Sequence, residues 1–147
     1  MASSKVPTAI EWASGPRADS SRMLAKSLPA CREITAIDGT KLRELLHPDR
    51  DPAAIRYSLA HAVVPPQIWS LLHLLRTTEV YYILSGRGIM EINGEQREVS
   101  PGDAVYVPPG GQQRIFAQGP EPLAFLCIVD PAWRAEDEEK LEIRNEK

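Results

Sequence analysis

The sequence predicts an all-β protein whose strands form a sandwich or barrel of jelly-roll type. From Ile55 onward, about eight short apolar or alternating segments follow one another, which is typical of β-strands. Tight-turn sequences separate them, and Asn93-Gly94 between two such segments is a strong signal for a β-hairpin. No helical periodicity intervenes. Short strands joined by tight turns without helices indicate a closed or two-sheet β-fold.

Length and composition restrict the class of protein further. At 147 residues, with 43% hydrophobic and 25% charged residues, the chain resembles an ordinary soluble domain. A net charge of −3 and the absence of a basic, aromatic-rich run argue against a nucleic-acid surface. We find neither a signal-peptide core nor an apolar run long enough to span a bilayer, and therefore expect no membrane partner and a cytoplasmic location.

The two cysteines, Cys31 and Cys127, fit neither a disulfide framework nor a zinc-finger spacing. Both have apolar neighbours in the sequence. We therefore expect both to be buried free thiols.

The two ends of the chain differ in composition from its centre. Residues 1–31 are rich in Ala, Ser, Pro and scattered charge, which predicts a flexible N-terminal arm. Residues 132–147 are densely charged and helical in composition, so we expect a short, solvated C-terminal helix. Trp133 is expected to attach the start of this helix to the barrel.

Residues 32–131 form the predicted barrel. Its first segment reads as a short strand, a turn at Asp38-Gly39, and a helical turn or two in "TKLRELL". His47-Pro48 ends that segment, and we expect His47 to be a surface loop residue.

Two groups of residues resemble the motifs of the cupin superfamily. The first cupin motif has a His-x-His pair, then a Glu, then a Gly; the positions are taken here by His73, Leu75, Glu79 and Gly86. The second has a Gly, five residues, Pro-x-Gly, two residues and a His; the positions are taken by Gly102, Pro108, Gly110 and Gln113. The resemblance covers residues 57–130 and implies a cupin double-stranded β-helix with its site inside the barrel.

The first interpretation of these motifs is a metal-assisted enzyme. In metal-binding cupins the two motifs supply three imidazoles and one carboxylate, whereas here Leu75 and Gln113 replace two of the histidines. His73, Glu79 and Gln113 remain as candidate ligands, and His61 could join them if it faces inward. Such a set suits one divalent transition metal (Zn, Mn, Fe or Ni) for isomerase, lyase, cyclase or oxygenase chemistry on a small molecule.

The second interpretation needs no metal. A carboxylate inside an apolar barrel is either paired or has a raised pKa, and both states suit a general acid or base. Glu79 and His73 would then form a proton-transfer pair, with Tyr81, Tyr82 or Tyr106 as hydroxyl donor. The expected reactions are those of an isomerase, lyase or cyclase.

The third interpretation is structural. His73 would be a hydrogen-bonded core histidine, and Glu79 would pair with Arg76 or Arg114. A related alternative is a cupin that binds a small ligand without catalysis.

Five further residues are candidates for substrate binding. Small-molecule pockets are largely apolar with a few polar groups, and arginines can grip an anion with two hydrogen bonds. The candidates near the motifs are Trp69, Arg76, Tyr106, Gln112 and Arg114. Core packing of the aromatic residues and solvation of the arginines are the competing interpretations.

The resemblance also implies a homodimer. Small cupin barrels commonly pair through sheet edges and exchanged terminal strands, and pairing removes unprotected strand edges. The N-terminal arm is the segment that we expect to cross over.

Overall fold

A computed structural model describes residues 19–143, and the regular secondary structure of this range is almost entirely β-strand, which confirms the predicted all-β class. Two single turns of 3-10 helix, Leu28–Ala30 and Ala135–Asp137, are the helical elements of this range. The strands are β1 (Glu33–Thr35), β2 (Lys41–Leu46), β3 (Ser58–Val64), β4 (His73–Leu75), β5 (Thr78–Ser85), β6 (Gly88–Ile92), β7 (Glu95–Val99), β8 (Ala104–Val107), β9 (Gln113–Ala117), β10 (Leu123–Asp130) and β11 (Glu138–Lys140).

The strands form two antiparallel sheets, as in the predicted jelly-roll barrel. One sheet has the order β1-β2-β3-β10-β5-β8 and the other β11-β4-β9-β6-β7. The apolar core lies between them, because β9 and β10 alternate strictly between buried and half-buried residues. The core side chains are Ala62, Val64, Tyr81, Ile83, Met90, Val99, Val107, Ile115, Ala117, Leu123, Phe125 and Cys127.

The β6–β7 hairpin has the turn that the sequence predicts. Asn93 and Gly94 both have positive φ, 51° and 85°, and the flanking residues Ile92 and Glu95 are paired across the strands. Positive φ at both central positions is the requirement of a type I′ turn, which matches the twist of the strands.

The C-terminal segment is a strand and not the predicted helix. After one 3-10 turn the chain enters β11, which pairs with β4 through Glu138↔Leu75, Glu139↔Leu74 and Lys140↔His73. This pairing satisfies backbone groups along β4 that would otherwise lie at a sheet edge, so tertiary contacts outweigh helical composition. Trp133 anchors the segment, since its backbone N–H donates to Ser58 Oγ at 2.9 Å. Residues 144–147 lie outside the described range.

Two further expectations for the first part of the barrel are wrong. "TKLRELL" is largely strand β2, paired with both β1 and β3, and not helical turns. His47 is 1% exposed and not a surface residue. Its Nε2 donates to the carbonyl oxygen of Trp133 at 2.8 Å, and its Nδ1 accepts from the backbone N–H of Asp49 at 3.0 Å. The two hydrogen bonds compensate its burial, and the one to Trp133 holds the C-terminal segment to the barrel.

Both cysteines are free, Cys127 being buried and Cys31 half-buried. Of the predicted N-terminal arm, residues 1–18 lie outside the described range. Within residues 19–143, no helix has the length and hydropathy needed to cross a membrane.

Candidate active site

The barrel contains a cavity of about 710 Å³, the size of a typical small-molecule site. Apolar side chains from the inner face of the six-stranded sheet form most of its wall. Polar side chains also line it, and those beside the motif residue Glu79 or its neighbour His73 are Asp38, Tyr81, Cys127 and Glu138.

Glu79 is a buried carboxyl group in the wall of this cavity. It lies on β5 and is 5% exposed. Its burial raises the pKa to about 7, although the His73 imidazole and hydrogen bonds from Gln113 and Cys127 lower it in part. No lysine or arginine of the described residues forms an ion pair with it, because Arg76 pairs with Glu139 and Arg114 with Glu91. The predicted pairing of Glu79 with either arginine is therefore wrong.

Gln113 holds the Glu79 carboxyl in place. Gln113 begins β9 and is fully buried, and its Nε2 donates to Glu79 Oε1 at 2.9 Å. Its Oε1 accepts a hydrogen bond from the hydroxyl of Tyr81. The three side chains form a chain of hydrogen bonds from one sheet to the other, so each polar group of the Gln113 amide is engaged.

Tyr81 stands at the end of this series of hydrogen bonds, opposite Glu79. Its ring is 1% exposed and stacks on Phe125 with 4.9 Å between ring centroids. Burial, and after it the Glu79 charge, raise the pKa of the Tyr81 hydroxyl well above its ordinary value. The hydroxyl thus stays protonated and donates to Gln113.

His73 faces two carboxyl groups that the sequence analysis did not single out. His73 is 3% exposed, and its Nδ1 donates to the carbonyl oxygen of Leu71 at 3.1 Å. Its Nε2 lies 3.8 Å from Asp38 Oδ2 and 3.7 Å from Glu138 Oε2. Because the Leu71 carbonyl fixes the proton on Nδ1, Nε2 is the atom left to exchange a proton with these carboxyl groups.

Asp38 and Glu138 are each oriented by a hydrogen-bond donor. Asp38 Oδ1 accepts from the Thr40 hydroxyl at 2.8 Å, and Glu138 Oε1 accepts from Trp133 Nε1 at 2.8 Å. Burial raises the pKa of Glu138, against the Trp133 hydrogen bond and the His73 charge, which lower it. In the sequence, Asp38 belongs to a predicted turn, and Glu138 is one of many acidic residues in a charged tail. No sequence signal placed either at the site.

Cys127 completes the acidic end of the cavity. It is paired with Tyr81 across β10 and β5, beside the pair Val129 and Glu79. Burial, and after it the nearby Glu79 charge, raise the pKa of the Cys127 thiol well above its ordinary value, so the thiol acts as a weak donor to the carboxyl.

The proposed metal ligands do not fit a metal centre. His61 lies on the face of β3 opposite Ala60 and Ala62, which line the cavity. The Gln113 oxygen already accepts the Tyr81 hydroxyl, and its nitrogen faces Glu79. Within residues 19–143, no three His, Cys, Asp or Glu side chains are arranged to hold a metal ion.

The five predicted substrate-binding residues lie outside the cavity wall. For most of them, the alternation of side chains along a strand explains this position. Because Gln113 points inward, its neighbours on either side point outward. Arg114 accordingly stacks over Trp69 at 4.2 Å and pairs with Glu91, and Tyr106, between two inward valines, is 61% exposed. The five are Trp69, Arg76, Tyr106, Gln112 and Arg114.

Comparisons with known proteins agree with this architecture. Residues 60–129 match the family model described as the cupin domain. A protein of Methanocaldococcus jannaschii, described as uncharacterized, is 44% identical over 106 residues, which are 71% of this chain and 84% of that protein.

Solved structures of low identity share the fold. The polyketide cyclase RemF from Streptomyces resistomycificus superposes with a TM-score of 0.68 at 19% identity, covering 84% of this chain and 88% of its own. The Streptomyces nucleoside dehydratase Pac13 has a TM-score of 0.68 at 17% identity, covering 84% and 95%. A cupin barrel protein from Salinispora arenicola has a TM-score of 0.64 at 21% identity, covering 78% and 92%. Because residues 60–129 match the cupin domain model and carry the two motif spacings, the chain belongs to the cupin superfamily.

Proposed function

We propose that this protein is a small-molecule enzyme that transfers protons through its own side chains, as an isomerase, lyase or cyclase. The observation that carries the proposal is Glu79, a buried carboxyl group in the cavity wall that has no lysine or arginine partner within the described residues. Because its pKa is about 7, it can both give and take a proton at neutral pH.

Glu138 is the second acid–base group of the proposed reaction. Glu79 belongs to the six-stranded sheet and Glu138 to the five-stranded one, and both line the cavity. A molecule held between them can lose a proton to one carboxylate while the other carboxylic acid protonates its leaving or accepting atom. In a dehydration, the C–H electron pair forms the new double bond and the departing hydroxyl leaves as water.

His73 and Gln113 have supporting roles in this proposal. His73 Nε2 stands between Asp38 and Glu138 and passes to Glu138 a proton taken up from solvent, while Glu79 releases to solvent the proton that it gained, so both carboxyl groups regain their starting states. Gln113, itself held by Tyr81, keeps the Glu79 carboxyl oriented.

The solved relatives support the reaction class. RemF is a polyketide cyclase and Pac13 a nucleoside dehydratase, and both reactions rearrange bonds of a small molecule within a barrel of this fold. The metal-assisted alternative has less support, because Gln113 is engaged at both ends of its amide and His61 faces away.

The proposal is tested by carboxyl ¹³C NMR on protein labelled at glutamate, together with a solvent-exchange screen. A carboxyl resonance that titrates with a midpoint near pH 7 is expected in the wild type and absent from Glu79→Gln. Candidate ligands that raise the melting temperature are then incubated in D₂O and analysed by mass spectrometry.

Solvent deuterium, loss of water or ring closure is expected in the product of a true substrate, and Glu79→Gln should abolish it. Ligands that bind tightly and are recovered unchanged and unlabelled would contradict the proposal and indicate a non-catalytic binding protein.

A further inference from the structure

We propose that the cavity binds an elongated, largely apolar carboxylate. Arg32 binds the anionic end of this molecule at the cavity mouth, and the other end lies against Glu79. The inference rests on the proposed function, since it names the class of substrate for the same site.

The first observation that supports the inference is the guanidinium of Arg32, which is unpaired among residues 19–143. Two arginines line the cavity within the described residues, Arg32 and Arg50. Arg50 donates two hydrogen bonds to the Glu44 carboxylate, at 2.6 and 2.9 Å. The Arg32 side chain, by contrast, has no hydrogen-bond or ion-pair partner in the described part of the chain. A guanidinium with unused donors at a cavity mouth is well suited to bind a carboxylate with two parallel hydrogen bonds.

The free guanidinium at the mouth favours a carboxylate. The Glu44 carboxylate neutralises Arg50, whose charge is also balanced by Asp49 and Asp51. Among the described residues that line the cavity, Arg32 is therefore the guanidinium left to bind a ligand, and its single positive charge matches the single negative charge of a carboxylate.

The wall of the mouth indicates an apolar body behind the anionic group. Ile34 and Ile37 line the cavity and yet remain 45% and 44% exposed. Deeper in, Leu42, Ala62 and Phe125 continue the same apolar surface. A hydrocarbon or aromatic body that covers these side chains would remove apolar surface from water, which favours binding.

The sheet sets the length of the molecule. Arg32 directly precedes β1, and Glu79 lies on β5, which is four strands away in the order β1-β2-β3-β10-β5. Adjacent strands are about 4.8 Å apart, so the two backbones are separated by roughly 19 Å along the sheet. A molecule that reaches from Arg32 to Glu79 must therefore be elongated, as a two-ring aromatic acid is.

The test uses 2-naphthoate and its neutral methyl ester as probes, with binding measured by isothermal titration calorimetry. We expect wild-type protein to bind the naphthoate about tenfold more tightly than the ester, because one charge-assisted hydrogen-bond pair is lost with the ester. Arg32→Gln should remove this preference, and Arg32→Lys should retain part of it. Arg87→Gln, which changes an exposed arginine that does not line the cavity, should leave it unchanged.

Equal affinity for the two probes, a preference that survives Arg32→Gln, or no binding of either probe would each overturn the inference. Its failure is distinguishable from failure of the proposed function, because the calorimetric test needs no turnover. If the preference depends on Arg32 while no carboxyl titrates near pH 7, the proposed function fails and the carboxylate site stands. If a carboxyl group titrates near pH 7 but the preference for the naphthoate does not depend on Arg32, the proposed function stands and the carboxylate site fails.

Discussion

Gln113 Nε2 donates a hydrogen bond to Glu79 Oε1 across 2.9 Å and thereby joins β9 of one sheet to β5 of the other. In metal-binding cupins the position of Gln113 carries a histidine. The amide replaces a metal ligand with a group that donates to a carboxyl on one side and accepts the Tyr81 hydroxyl on the other. The site is thus built around a hydrogen-bonded carboxyl group.

Gln113→Leu should lower the free energy of unfolding by about 1–3 kcal/mol, because it leaves the buried Tyr81 hydroxyl without a partner and the Glu79 carboxyl with only the weak Cys127 donor. It should also raise the pKa of Glu79, since the Gln113 hydrogen bond lowers it. Urea denaturation measures the first effect. Gln112→Leu, at the exposed neighbouring position, is the control and should stay within about 0.5 kcal/mol of wild type.

The stability of the protein should fall as the pH rises through 7. Burial raises the pKa of Glu79 to about 7, so the folded state favours the protonated form more than the unfolded state does. The resulting stabilisation is complete below the unfolded pKa and is lost as the pH passes the folded one, a change of about 3 kcal/mol. Unfolding curves from about pH 5 to about pH 8 should show this loss in wild type and much less of it in Glu79→Gln. An equal slope in both proteins would contradict the assignment to Glu79.

Trp133→Phe should raise the pKa of Glu138, because it keeps the ring in place and removes the indole N–H that donates to Glu138 Oε1 at 2.8 Å. Carboxyl NMR of labelled protein follows the titration. The matched control is Trp69→Phe, since Trp69 packs against Phe116 and Arg114 on the outer face. A Glu138 titration that is the same in Trp133→Phe and wild type would show that the indole does not act on this carboxyl.

Tag-free wild-type protein should contain no stoichiometric transition metal, because Gln113 is engaged at both ends and His61 faces away from Glu79. Leu75→His combined with Gln113→His restores the imidazoles of the metal-binding motif beside His73 and should allow Zn or Mn to bind. Elemental analysis of both proteins checks this. A full equivalent of metal in wild type, lost in His73→Ala, would instead support the metal-assisted alternative.

Full-length protein should have the mass of a homodimer in light scattering. Strands β1 and β8 are the edges of the six-stranded sheet, and Tyr82 and Tyr106 lie exposed near one of them. Paired edges avoid the aggregation that free edges promote. A monomeric mass would refute the prediction, and a dimer that persists after removal of residues 1–30 would show that the arm does not hold the subunits together.

Local sequence patterns predicted the strands from Ile55 onward and the hairpin, and a family resemblance predicted part of the candidate site. Alternation from Ile55 onward and the Asn93-Gly94 turn predicted the all-β class, and the resemblance of two motifs to those of cupins implied that His73, Glu79 and Gln113 lie together. The same alternation, applied outward from Gln113, excludes Gln112 and Arg114 from the cavity, because neighbours on a strand point to opposite faces.

Only the tertiary structure brought Asp38 and Glu138 to His73. Asp38 lies 35 positions before the imidazole and Glu138 lies 65 positions after it, outside the residues matched by the cupin model. The charged tail has helical composition, yet pairing with β4 makes it a strand and carries Glu138 into the cavity. The sequence by itself therefore determined the barrel and the Glu79 side of the site. The opposite acidic side depends on strand pairing between distant segments, an interaction that local propensity does not encode.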